Sequence, residues 1–130
     1  MDAAIKLHKV MEARAKRILL VEDEPLLLNL LSLFFSKMGW EVATADSGSA
    51  ALQTFAQEKF HVLLTDVDLN DKIDGIEVAR QLSAAHPPLK VYIMSGDHSN
   101  EEKVKAANLG SFLPKPLDFP ALNSTFCCEM

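Results

Sequence analysis

The chain predicts an α/β protein: a (βα)5 doubly wound, parallel five-stranded sheet. Three observations carry this. Five short runs rich in Val, Ile and Leu recur along the chain, longer stretches with helical spacing separate them, and polar turn residues mark the joins. Short apolar runs of this kind are the pattern of parallel strands covered on both faces. Their alternation with helical stretches implies βαβ units. With 130 residues, 48% hydrophobic and 24% charged, the chain fits one globular domain and not a disordered one.

Residues 1–16 read as a charged leader, helical or mobile, and residues 17–130 as the domain. Within 1–17 the basic Lys6, Lys9, Arg14, Lys16 and Arg17 outnumber Asp2 and Glu12, the composition of a solvated helical arm. The first strand is "RILLV", 17–21. A helix follows from about Glu24 to Met38, with Pro25 suited to its first turn and Gly39 just past its end. "EVATA", 41–45, is the second strand. Asp46 is expected to cap the next helix, which runs from about Ser47 to Lys59. "HVLLT", 61–65, is the third strand, and a helix over 76–86 is stopped by Pro87 and Pro88. "KVYIM", 90–94, precedes a helix over 100–109 with Gly110 expected at its C-cap. The weaker "SFLP", 111–114, contains Pro114, which an edge strand tolerates. After Asp118, the poor helix formers Asn123, Ser124 and Thr125 predict a short or frayed last helix.

Several function classes are excluded. A net charge of −5 argues against direct, non-specific nucleic-acid binding, which needs a basic face. The longest apolar run, Leu26 to Phe35, is interrupted by Asn29 and Ser32 and is too short to span a bilayer. The N-terminus has no secretory pattern, so a cytoplasmic protein is expected. The adjacent Cys127 and Cys128 read as reduced thiols, and the four histidines have no metal-ligand spacing.

In open sheets of this class, ligands gather outside the carboxyl ends of the strands. Those ends carry polar chemistry here: Glu22 and Asp23 after the first strand, Asp66 and Asp68 after the third, Ser95 after the fourth, and Lys115 and Pro116 after the fifth. If the first and third strands are neighbours, Glu22, Asp23 and Asp66 converge, and three ionised carboxylates in one crevice repel strongly. Mg2+ resolves this, because a hard divalent ion takes one or two carboxylates while leaving room for phosphate oxygens. With Lys115 as a second positive charge and Ser95 as a hydroxyl donor, the set suits phosphoryl handling with a carboxylate nucleophile.

The same residues, with the weaker "DSGSAAL", "DGIEVARQL" and "AANLGSFLPKP", resemble the receiver domain of two-component response regulators over residues 17–126. The resemblance implies a flavodoxin-like sheet of order 2-1-3-4-5. It further implies that Asp66 accepts a phosphoryl group from a histidine kinase or histidine phosphotransfer protein. Asp23, Asp66 and the backbone carbonyl of Asp68 would ligate Mg2+, with Glu22 acting through water. Lys115 would pair with the phosphoryl oxygens. Ser95 and Phe112 would move on switching, and Pro116 would follow a cis peptide bond. Asp68 and Asp97 would take the two positions that, in the family, influence the lifetime of the aspartyl phosphate.

Two departures from the family pattern stand out. Glu22 takes a position where Asp is also common. The loop "VDLNDKIDG" lacks a proline often found there and is about one residue longer. Any effect is expected to pass through a downstream partner protein or through a domain outside this sequence. The first helix is apolar nearly all round, which leaves a side for the phosphodonor or for homodimerisation. Two alternatives compete with the phosphoaccepting switch. One is a degenerate receiver that binds partners without phosphorylation. The other is a phosphatase of the haloacid dehalogenase type, with Asp66 as nucleophile and Asp68 as acid. Apart from its own phosphorylation and dephosphorylation, no enzymatic activity is expected.

Overall fold

The computed structural model describes residues 16–127 and Glu129. The expected leader therefore lies, except for Lys16, outside the described residues, as does Cys128; Cys127 is an exposed free thiol. Ten elements alternate in chain order: β1 (Arg17–Val21), α1 (Pro25–Lys37), β2 (Glu41–Ala45), α2 (Gly48–Gln57), β3 (Val62–Asp66), α3 (Gly75–Ala85), β4 (Lys90–Ser95), α4 (Asn100–Ala107), β5 (Ser111–Pro114) and α5 (Phe119–Cys127). All pairings are parallel, in the order β2-β1-β3-β4-β5, as predicted.

Strand periodicity divides the core in two, because alternate residues point to opposite faces. Leu19, Val21, Leu63, Val91 and Ile93 pack with Ala51, Val78, Leu82 and Val104 of α2, α3 and α4. Ile18, Leu20, Val62, Leu64, Tyr92 and Met94 pack with Leu31 and Phe35 of α1 and Leu122 and Phe126 of α5. The central strands are thus apolar on both faces, which explains their unbroken runs. The helices change face between α1 and α2, so the crevice between β1 and β3 is the switch point where such folds bind ligands.

Strand ends extend one residue further than the apolar runs. Asp66 and Ser95 belong to β3 and β4 themselves, and the ladder continues past Asp66, with Val67 N–H donating to Met94 O at 2.9 Å. Pro114 does fall in an edge strand, since β5 pairs with β4 alone.

Three expectations need correction. The cap of α2 is Ser47, whose hydroxyl accepts from Ala50 N–H at 3.1 Å; Asp46 is exposed. The C-cap of α4 is Asn108, in left-handed backbone with φ 52°, a conformation Asn tolerates better than most residues. Gly110 has another reason to lack a side chain: a Cβ there would lie 2.1 Å from Val91 O. Finally, α5 is a full nine-residue helix. Asp118 accepts from Ala121 N–H at its start, and Phe126 packs against Phe35 and Tyr92 with centroids 4.8 and 4.6 Å apart. Burying one such side chain is worth about 1.5–3 kcal/mol, more than the few tenths per residue lost to weak propensity.

Candidate metal centre at the carboxyl end of the sheet

The site is assembled by neighbouring strand ends. Glu22 continues the ladder from β1, its N–H donating to Ala45 O at 3.1 Å, and its side chain is only 1% exposed. Asp23, the next residue, is more open to solvent. Asp66 arrives from the adjacent β3 and is 6% exposed. The expected convergence is present: one carboxylate oxygen from each of Glu22, Asp23 and Asp66 lies within 4.8 Å of the others.

Gly75 sets how closely α3 can pack behind this point. A Cβ at Gly75 would lie 1.8 Å from Asp66 O, and its N–H donates to Val67 O at 2.8 Å. Any side chain here would push the helix away from the strand end that carries Asp66.

Lys115 enters from the far edge. Its N–H donates to Ser95 O at 2.9 Å, its peptide to Pro116 is cis as expected, and its Nζ lies 2.9 Å from Glu22 Oε2 and 3.2 Å from Asp66 Oδ2. Three carboxylates and one ammonium leave a formal charge of −2. Repulsion between carboxylates about 4 Å apart is of order 4 kcal/mol per pair at an effective dielectric constant near ~20. Burial pushes the Glu22 carboxyl above its ordinary range, opposed by the Lys115 hydrogen bond and reinforced by Asp66. Asp66 is raised too, by burial first, with Lys115 opposing and Asp68 and Asp23 adding repulsion. For Lys115, burial favours the neutral amine, but its two carboxylate partners outweigh it and the net shift is upward. An all-oxygen donor set with two uncompensated charges fits a hard divalent cation such as Mg2+.

The remaining predicted residues take distinct places. Asp68 is exposed, and its carboxylate lies outside the three-carboxylate group. As a metal ligand, Asp68 was expected to act through its backbone carbonyl. Ser95 is fully buried, one residue beyond Met94, the register partner of Asp66. Phe112 is half-buried on β5, opposite Ile93 and packed against the α2–α4 side of the core. Asp97 is drawn below its ordinary carboxylate range by the Ser99 hydroxyl and N–H.

Sequence reasoning missed three participants. Asn70 N–H donates to Asp23 Oδ2 at 3.2 Å, so the long loop after β3 touches the acidic centre. That loop is moored by Asp71, whose Oδ2 accepts from Ser49 N–H and Oγ at 2.8 Å each. Asn100 is 4% exposed and donates from Nδ2 to Ser95 Oγ at 3.0 Å. The available signal for Asn100 was its place one turn before the apolar Val104, on the inward face of α4.

The family model for the response regulator receiver domain matches residues 18–126. The transcriptional regulatory protein GlrR of Escherichia coli (strain K12) is 34% identical over 114 residues, covering 86% of this chain and 26% of that protein. ZraR, a transcriptional regulatory protein of the same strain, is 34% identical over 110 residues, covering 83% and 25%. The response regulator TrrA of Thermotoga maritima, solved in complex with Mg2+ and BeF, shares the fold with a TM-score of 0.80 at 24% identity, over 88% of this chain and 99% of that one. The chain spans about a quarter of the length of these curated relatives.

Proposed function

Because the chain belongs to the response regulator receiver family, we propose that it is a phosphoaccepting switch of a two-component phosphorelay with Asp66 as the acceptor. The observation that carries this reading is the position of Lys115 Nζ, shared between Glu22 and Asp66 in a pocket that also holds Asp23. A carboxylate oxygen of Asp66 attacks the phosphorus of a phosphohistidine on a histidine kinase or phosphotransfer protein. An O–P bond forms, the P–N bond breaks, and the imidazole leaves with a proton. Glu22, Asp23, Asp66 and the backbone carbonyl of Asp68 would hold Mg2+, with Glu22 acting through water; when bound, the ion offsets charge on the carboxylates and on the incoming phosphoryl oxygens.

Lys115 is placed to exchange a carboxylate partner for a phosphoryl oxygen, and the Ser95 hydroxyl to donate to another. Phe112 and the Lys115–Pro116 corner of β5 then relay the change to the surface around α4, β5 and α5. A groove of about 340 Å3 beside Lys115, lined by Leu26, Leu27, Leu30, Pro116 and Phe119, supports docking of the donor's helix next to the acceptor. Leu26, Leu30 and Leu33 are 68, 48 and 61% exposed, an apolar face that also suits a homodimer. The two curated relatives, GlrR and ZraR, are transcriptional regulatory proteins, so the output lies in a further domain or a downstream protein, while this acidic domain itself does not bind nucleic acid. Among the described residues no helix is long and apolar enough to cross a membrane. The setting is the cytoplasm, where kinases supply phosphohistidine.

The haloacid dehalogenase reading is disfavoured because its motif opens the fold, whereas Asp66 ends the third of five strands. The test is incubation with acetyl phosphate with and without Mg2+, followed by intact mass. The expected result is a Mg2+-dependent gain of one phosphoryl group, lost in Asp66→Asn. A wild-type protein that gains nothing under saturating donor is instead a phosphorylation-independent binding module.

A further inference from the structure

We infer that Asn100 is a positioning residue that latches the Ser95 hydroxyl in the unphosphorylated state. This rests on the phosphoacceptor reading and adds a group that sets how readily the site accepts a phosphoryl ligand.

Ser95 Oγ accepts two hydrogen bonds at 3.0 Å, one from Asp97 N–H and one from Asn100 Nδ2. A serine hydroxyl has two acceptor positions and one donor hydrogen, so both acceptor positions are filled from the β4–α4 turn. Among the described residues, the hydroxyl has no hydrogen bond to Asp66 or Lys115. The turn itself is firmly held. Asp97 Oδ1 accepts from Ser99 N–H at 3.0 Å and Ser99 Oγ at 2.6 Å, and Asn100 N–H donates to Asp97 O at 3.0 Å. Asn100 is 4% exposed, and Val104, one turn later on the same helix face, is fully buried.

If the Ser95 oxygen swings off Asn100 Nδ2 toward a phosphoryl group on Asp66, the buried amide is left without that partner. Removing one partner of a buried hydrogen bond exacts the desolvation penalty of the group left behind. That penalty opposes the switched state and is absent from a variant without the amide. The latch thus lowers the apparent affinity for any ligand that needs the Ser95 hydroxyl, as a two-state equilibrium requires.

The test is a titration with beryllofluoride in saturating Mg2+, on wild type, Asn100→Leu and Asn100→Ala, each also made with Ser95→Ala. The leucine variant keeps the branched shape at Cγ without the amide, and the alanine variant guards against misfolding from the larger leucine side chain. The expected result is about three- to ten-fold tighter beryllofluoride binding in both Asn100 variants. The gain is expected to vanish when Ser95 is alanine, which a merely structural role for Asn100 does not predict. Binding that is unchanged or weaker in the Asn100 variants overturns the latch, as does an equal gain in the Ser95→Ala background. No binding by the wild type overturns the phosphoacceptor reading, and the latch with it.

Discussion

Lys115 Nζ lies 2.9 Å from Oε2 of Glu22, a residue 93 positions earlier in the chain and 1% exposed. The ammonium is also 3.2 Å from Asp66 Oδ2, so one cation bridges the ends of β1 and β3 from beyond β5. Replacing it leaves a buried carboxylate without its charged donor. For Lys115→Met in Mg2+-free buffer near neutral pH, urea unfolding should show a loss of about 2 kcal/mol, the scale of a hydrogen bond to a charged group. Saturating Mg2+ should restore part of that loss.

The acidic centre also sets a pH dependence. Glu22 and Asp66 have folded-state pKa values above their ordinary 4.5 and 3.8, chiefly through burial. The native state therefore retains protons that the unfolded chain has already released. Their contribution to stability is fully present below the ordinary values and is lost as pH rises through the raised folded values. Urea midpoints measured with a chelator should accordingly fall as pH rises from about 4.5 toward neutrality, and Mg2+ should flatten the slope. Asp71 and Asp97 act with the opposite sign at lower pH. Their carboxyls are held below 3.8, Asp71 by the Ser49 N–H first and Asp97 by the Ser99 hydroxyl first, so their contribution is lost as pH falls through those depressed values. A chelated protein whose stability rises steadily with pH over the upper range contradicts the assignment.

Gly75 couples packing to the site. Gly75→Ala puts a methyl group 1.8 Å from Asp66 O, a backbone atom on a central strand that cannot move aside. Overpacking of this kind costs about 1–3 kcal/mol or more. The variant should lose stability in that range and also bind Mg2+ more weakly, because pushing α3 away breaks the Gly75 bond to Val67 O and loosens the loop whose Asn70 N–H holds Asp23. Ordinary Mg2+ affinity in a destabilised Gly75→Ala protein would separate the two effects and disprove the coupling.

Much of this was readable in the sequence, for physical reasons that differ by element. The three central strands announced themselves because burial on both faces demands unbroken Val, Ile and Leu. Their ends did not, since Asp66 and Ser95 break the apolar pattern while the backbone ladder continues through them. The full length of α5 was hidden because Phe35 and Tyr92, which hold Phe126, lie far away in the chain. The Asp46 and Gly110 caps failed for a related reason: Ser47 and Asn108 were equally able to cap, and packing against Val91 claimed Gly110. At the site, residue types and their places at strand ends were legible, while the strand order that joins them came through the family resemblance. Asn100 was missed because an asparagine opening a helix looks like a solvated start until its buried partner is seen.

The most direct test is peptide-level mass spectrometry of the protein after treatment with acetyl phosphate and Mg2+. A single acyl phosphate is expected, on the peptide that contains Asp66 and assigned to that side chain. A phosphoryl group on another residue, or none under saturating donor and Mg2+, contradicts it.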